Sequence, residues 1–166
     1  TDRGERVQQS LSHLTSFSED MTRRGMTPTV LWLERSVCLP SPEETIALAL
    51  PANASVARIA RLRLADDRPM AIEKASLPVD ILPNPVAVTT SLYEVLEHDG
   101  NRPVRAIQKI SAINLGEEDA GLLGVEPGAA GLRIERVSYL PSGRVVEFTK
   151  SIYRGDAYDF VAELRL

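Results

Sequence analysis

Ser16–Pro28 reads SFSEDMTRRGMTP, and Ser91–Pro103 reads SLYEVLEHDGNRP. Ser16 matches Ser91, Glu19 matches Glu94, Gly25 matches Gly100 and Pro28 matches Pro103, each pair 75 positions apart. The offset continues through Glu43 and Glu118, Leu48 and Leu123, Arg58 and Arg133, Ile59 and Ile134, and Arg61 and Arg136. A one-residue gap then aligns Glu73 with Glu147, and Ser76 matches Ser151 once the offset returns. A constant offset across several kinds of element marks a duplicated unit inside one domain. Two such units are expected to share one sheet rather than stack as a solenoid, which needs more repeats.

Each unit reads helix, strand, helix, hairpin. The first helix opens on a capping box, Ser16 with Glu19 and Ser91 with Glu94. Gly25 and Gly100 stand where a left-handed cap belongs. Strands are expected near Thr29–Cys38 and Val104–Asn114. In the next helix, SPEETIALAL, Ser41 is the N-cap and Pro42 the first helical residue; its counterpart is GEEDAGLLGV. Hairpins follow at Ala57–Leu77 and Leu132–Tyr153, and a last strand near Tyr158–Leu166. Hairpin strands interleaved with short helices predict an α+β domain on a mostly antiparallel sheet.

The first hairpin holds the most unusual chemistry: RIARLRLADDRPMAIEKASLP, Arg58–Pro78. Strand alternation puts Arg61 and Arg63 on one face. Two neighbouring guanidiniums repel unless an anion or carboxylate sits between them, and Arg suits bidentate grip of either. A two-residue Asp66-Asp67 turn pairs Arg61 with Ile72 and turns Glu73 away. A three-residue Asp66-Asp67-Arg68 turn pairs Arg61 with Glu73. Residue types alone favour a solvated cross-strand ion pair worth under about 1 kcal/mol. Ser91 and Ser16 serve as caps, which leaves the hydroxyls of Ser18 and Tyr93 available near helix starts that favour anions. Glu147, Thr149, Ser151 and Tyr153 share one strand face, an unusually polar row. RGD at 154–156 fits a turn between strands better than an adhesion signal.

The chain has 166 residues, 43% of them hydrophobic, enough for one domain with a real core. Its net charge of −4 and pI near 5.3 argue against a direct grip on nucleic acid. Cys38, His13 and His98 have no metal-ligand spacing, no nucleophile–base–orienter set is present, and no cofactor is called for. A single thiol fits a reducing cytoplasm. No stretch reads as a membrane span or signal peptide. The polar opening TDRGERVQQS reads as a linker.

The motifs SFSEDMTRRGMTP, RLRLADDRPMAIEKASLP, SLYEVLE, LGVEPG and VVEFTKSIYRGDAYDFVAEL together resemble a UTRA domain, over about residues 14–166. This is the effector-binding half of HutC-type regulators of the GntR family, and the nearest likeness is to amino-sugar regulators that sense N-acetylglucosamine 6-phosphate. The resemblance implies a chorismate-lyase-like, internally duplicated α+β fold and a homodimer. It implies that residues 1–13 are linker from a winged-helix DNA-binding domain, and that operator DNA is met only through that head. By motif, Ser18, Arg61, Arg63, Ser91 and Tyr93 match positions that hold an effector's phosphate or line its pocket. Glu73, Glu147 and Tyr153 match positions at the sugar end. The family's common Arg-Ser before the LYRGD motif is Lys150-Ser151 here, which loses a planar fork. Other family members sense carboxylates, which two arginines hold as well. Two further readings are an enzyme related to chorismate lyase, and a dimerisation module with an empty cleft.

Overall fold

The computed structural model describes residues 7–10, 17–89, 91–161 and 164–165, with backbone only for 7–10, 17–19 and 158–161. A four-residue strand, β1 (Val7–Ser10), precedes two copies of one unit. The first copy runs α1 (Phe17–Arg23), β2 (Pro28–Cys38), α2 (Pro42–Ala47), β3 (Val56–Ala65) and β4 (Arg68–Pro78). After a 3₁₀ turn at Pro85–Ala87, the second runs α3 (Leu92–His98), β5 (Arg105–Asn114), α4 (Glu117–Leu123), β6 (Ala130–Tyr139) and β7 (Val145–Arg154). The six long strands form one antiparallel sheet in the order β2-β3-β4-β7-β6-β5. Among the described residues, no helix is long and apolar enough to cross a membrane.

That strand order is what a duplication with a pseudo-two-fold axis produces. The axis passes through the central β4–β7 ladder, where Lys74 pairs directly with Lys150. The matched residues obey it. Arg58 lies opposite Ser36 and Arg133 opposite Ser111, the same place in each unit. Gly25 and Gly100 each follow the unit's first helix with φ of 75° and 76°, a conformation that glycine adopts without a Cβ penalty.

Two alignments are corrected by the strand register: that of Ser76 with Ser151, because Ser76 lies opposite Arg58 while Ile152 lies opposite its counterpart Arg133, and that of Glu73 with Glu147. Arg61 pairs with Glu73, and its counterpart Arg136 pairs with Thr149. Glu73 therefore corresponds to Thr149, and Glu147, opposite Ser138, corresponds to Ala71, opposite Arg63. The two carboxylates occupy different places in their units.

The hairpin turn combines the two expected geometries. Asp66 and Asp67 both have positive φ, 48° and 64°, as a two-residue type I′ turn requires. Ala65 then pairs with Arg68, but the register slips by one at Met70, so that Arg63 meets Ala71 and Arg61 meets Glu73. The bulge, not a longer loop, turns Glu73 toward the arginines.

Local signals place the helices. Ser41 accepts from the Glu44 amide at 3.1 Å and the Glu44 carboxylate accepts from the Ser41 amide at 2.8 Å, a complete capping box. Ser91 accepts from the Glu94 amide at 3.3 Å. Ser16 lies outside the described residues. α3 buries Leu92, Tyr93 and Leu96 against Ala57, Ile59, Ala75 and Leu77, and Met21 of α1 packs with Ala71 and Tyr153. On the opposite face, Ala120 and Leu123 of α4 pack on Leu62 and Ile72, and Leu48, the C-cap of α2, packs on Val56 and Phe148. A leucine such as Leu96, fully buried here, contributes about 1.5–3 kcal/mol over an exposed one.

The last strand, β8 (Tyr158–Val161), is shorter than expected and pairs in parallel with β1 rather than joining the large sheet. The RGD turn before it is structural. Arg154 donates to both carboxylate oxygens of Asp156, at 3.0 and 2.9 Å, and the Gly155 amide donates to the Ala130 carbonyl at 2.9 Å. A Cβ on Gly155 would stand 2.7 Å from that carbonyl oxygen. Gly155→Ala is therefore expected to destabilise the fold by about 1–3 kcal/mol, through forced backbone movement. An unchanged melting temperature would show that the β7–β8 corner gives way freely.

Candidate functional site

The site grows from alternation on the sheet face that α1 and α3 cover. Arg61 and Arg63 point to it together with Ala57 and Ile59, and Glu73 joins them because the bulge sets the register. The Arg61 Nε and Nη2 atoms donate to Glu73 Oε1 at 3.1 and 2.6 Å, and Arg63 Nε stands 3.9 Å from Glu73 Oε2. Arg61 and Arg63 are 2% and 1% exposed, so the solvated-pair reading is overturned. Burial raises the pKa of the Glu73 carboxyl, but the two guanidiniums outweigh it and hold that pKa at about 2. Trp32 lies across this group: the Arg61 guanidinium is 5.4 Å from its ring centroid and that of Arg35 is 4.4 Å away. Arg35 in turn donates to the Val86 and Val88 carbonyls, which ties the 3₁₀ turn to the edge strand.

The second half brings a different set to the same face. Glu147, 3% exposed, accepts at Oε1 from the hydroxyls of Tyr93 and Ser138 and at Oε2 from that of Thr149, all at 2.7 Å. Arg136 donates from Nη1 to the Tyr93 oxygen at 3.2 Å and from Nε to Gln108 Oε1 at 3.0 Å. Burial, the Glu147 charge and the bond to Glu147 push the Tyr93 hydroxyl far above the usual tyrosine range, against a lowering by Arg136. Burial and the Glu73 charge push Tyr153 the same way, and Asp20 of α1 adds to the push. The Arg136 charge is felt by Glu73, Tyr93 and Tyr153, which makes it the electrostatic link between the two halves.

Of the sequence-named residues, the structure brings Arg61, Arg63 and Glu73 into one group and Tyr93 and Glu147 into another. Tyr153 is buried beside Ala71 and Leu132 on the same face. Ser91 is buried and caps α3. Ser18 lies in α1, and its side chain is outside the described residues. Sequence reasoning missed Arg136, Ser138 and Trp32 as members of the site. The repeat had already matched Arg136 to Arg61, and that was the signal available. Chemically, one end presents guanidiniums that share a carboxylate, and the other a carboxylate ringed by hydroxyls. Among the described residues, no three His, Cys, Asp or Glu side chains gather as metal ligands.

The family model of the UTRA domain matches residues 23–159. The chain belongs to the UTRA family. This UTRA domain is 37% identical over 159 residues to the HTH-type transcriptional repressor NagR of Bacillus subtilis, covering 94% of this chain and 65% of that protein. It is 27% identical over 154 residues to the HTH-type transcriptional regulator GgaR of Escherichia coli, covering 93% and 62%. The chain thus spans less than two thirds of the length of these curated relatives. Among solved structures, a GntR-family transcriptional regulator from Enterococcus faecalis is 31% identical, covers 82% of this chain and all of its own, and superposes with a TM-score of 0.75. The effector domain of PhnF from Mycobacterium smegmatis, at 23% identity, covers 96% of this chain with a TM-score of 0.88 and shares the fold. The relatives are named as transcriptional regulators, and an effector-sensing regulatory role fits this UTRA domain where an enzymatic one does not. The lyase reading is set aside.

Proposed function

We propose that the domain binds a small anionic metabolite, with a phosphorylated amino sugar such as N-acetylglucosamine 6-phosphate as the first candidate. Ser18, Arg61, Arg63, Ser91 and Tyr93 hold the anion or line the pocket, and Glu73, Glu147 and Tyr153 meet the polar end. The observation that carries this reading is the burial of Arg61 and Arg63 side by side on a face whose other end is a hydroxyl-ringed carboxylate. Buried charges in that arrangement serve a bidentate anion and a set of hydroxyl donors together.

The regulator acts in the cytoplasm as a homodimeric repressor. A winged-helix head joined through residues 1–13 reads a two-fold operator, and the acidic domain itself makes no contact with DNA. The effector favours one arrangement of the heads, which requires unequal affinity for the free and operator-bound states.

Trp32 is the chain's only tryptophan and stands over Arg61, so its fluorescence reports the clamp directly. Titration with N-acetylglucosamine 6-phosphate is expected to change that emission and saturate. Inorganic phosphate should do so more weakly and glucosamine not at all. A flat signal and unchanged melting temperature across sugar phosphates and carboxylates would leave only the dimerisation module. Equal ligand affinity of the full-length regulator with and without operator would refute the coupling.

A further inference from the structure

The two-fold mate of Arg61 does something different from Arg61. Arg61 faces a carboxylate across the strand, whereas Arg136 faces Thr149. Its Nε is anchored on Gln108 of the edge strand, and its Nη1 donates to the Tyr93 oxygen. A phenol has one proton. With its oxygen accepting from a guanidinium, that proton is directed to Glu147 Oε1. Burial and the Glu147 charge keep Tyr93 protonated throughout the physiological range.

A carboxylate offers about four acceptor positions. Among the described residues, three hydroxyls fill three of those on Glu147: two on Oε1 and one on Oε2. We propose that Arg136, braced by Gln108, is a positioning residue that fixes the direction of the Tyr93 hydroxyl, so that Glu147 keeps one acceptor position on Oε2 for a ligand hydroxyl or amide N–H. The inference rests on the effector reading above and adds to it a determinant of specificity. Arg61 and Arg63 grip whatever is anionic. The Arg136–Tyr93–Glu147 relay rejects anions that bring no donor to the far end, because a buried acceptor left without a donor is costly.

The test separates this from the effector reading. In the ligand-free domain, the Tyr93 ring-carbon signal next to the hydroxyl, read by NMR with labelled tyrosine, is expected to shift in Arg136→Met and return in Arg136→Lys, which still donates. A signal indifferent to both changes overturns the relay whatever the ligand. In binding, Arg136→Met is expected to weaken N-acetylglucosamine 6-phosphate roughly threefold to tenfold, the loss of one hydrogen bond, while affinity for inorganic phosphate stays the same. Gln108→Leu should act in the same direction with a smaller loss. A parallel fall for both ligands makes Arg136 a third anion ligand and overturns the proposal. If the parent binds neither probe, the effector reading fails, and the selectivity with it, while the NMR result still decides whether Arg136 orients Tyr93.

Discussion

Arg63→Ala is expected to weaken binding of N-acetylglucosamine 6-phosphate from roughly tenfold to more than a hundredfold. The change removes one charge-assisted contact, worth about 1.5–3 kcal/mol, and each 1.4 kcal/mol is about tenfold in affinity. Arg63→Lys should recover only part of the loss, since an ammonium cannot reproduce a planar fork. Arg63 is 1% exposed, so the alanine variant also leaves a cavity, a cost that a surface ion pair would not have carried. Arg63→Met keeps most of the volume without the charge and separates the two effects. Isothermal titration on the folded variants, with Arg61→Ala alongside, measures the affinities. Parent-like binding in all of them would remove the guanidiniums from the site.

Glu73→Gln should have the largest effect on stability. It leaves two guanidiniums, 2% and 1% exposed, on one strand face without the carboxylate that they share. Removing one partner of a buried ion pair costs about 3–5 kcal/mol. For a domain of this size that lowers the melting temperature by roughly 6–20 °C at neutral pH. The pH dependence gives the sign. The folded-state pKa of Glu73 is about 2 against an ordinary 4.5, so its stabilisation is present above pH 4.5 and is lost as pH falls toward 2. Parent and variant stabilities should therefore converge across that window. Glu44, held at about 2 by Arg58, the Ser41 amide and Ser76 against the opposing effect of burial, loses its own contribution over the same range in both proteins and cancels from the difference. Added phosphate should restore part of the variant's stability, since an anion between the arginines replaces the missing carboxylate. A Glu73→Gln protein that melts with the parent at pH 7 would mean that the arginines need no counter-charge there.

The duplication was legible in the sequence because helix caps and glycines with positive φ tolerate few substitutes, and so kept their spacing as the halves diverged. Arg61, Arg63 and Glu73 were legible as a group through strand parity. What parity could not supply was the slip at Met70, a buried residue on an ordinary-looking strand. Without that slip the choice of turn decided everything, and neither pure choice is the observed one. Burial was equally hidden: an arginine under a helix and one in water have the same neighbours in sequence. The match of Glu73 with Glu147 was drawn from identity alone. The ladder shows that the residue in the place of Glu73 is Thr149, so Arg136, already matched to Arg61 by the repeat, faces a hydroxyl where Arg61 faces a carboxylate.

The non-equivalence of those rows has a consequence for signalling. A cradle made from two identical halves would be palindromic, and a ligand could enter it in two opposite orientations of equal energy. Each orientation would press on a different helix, and the output would be an average. Here the place held by Arg63 in one half is Ser138 in the other, and that held by Ala71 is Glu147. These two replacements give the groove a head and a tail. A molecule with one anionic end can then lie in it only one way round, so that occupancy carries a single message.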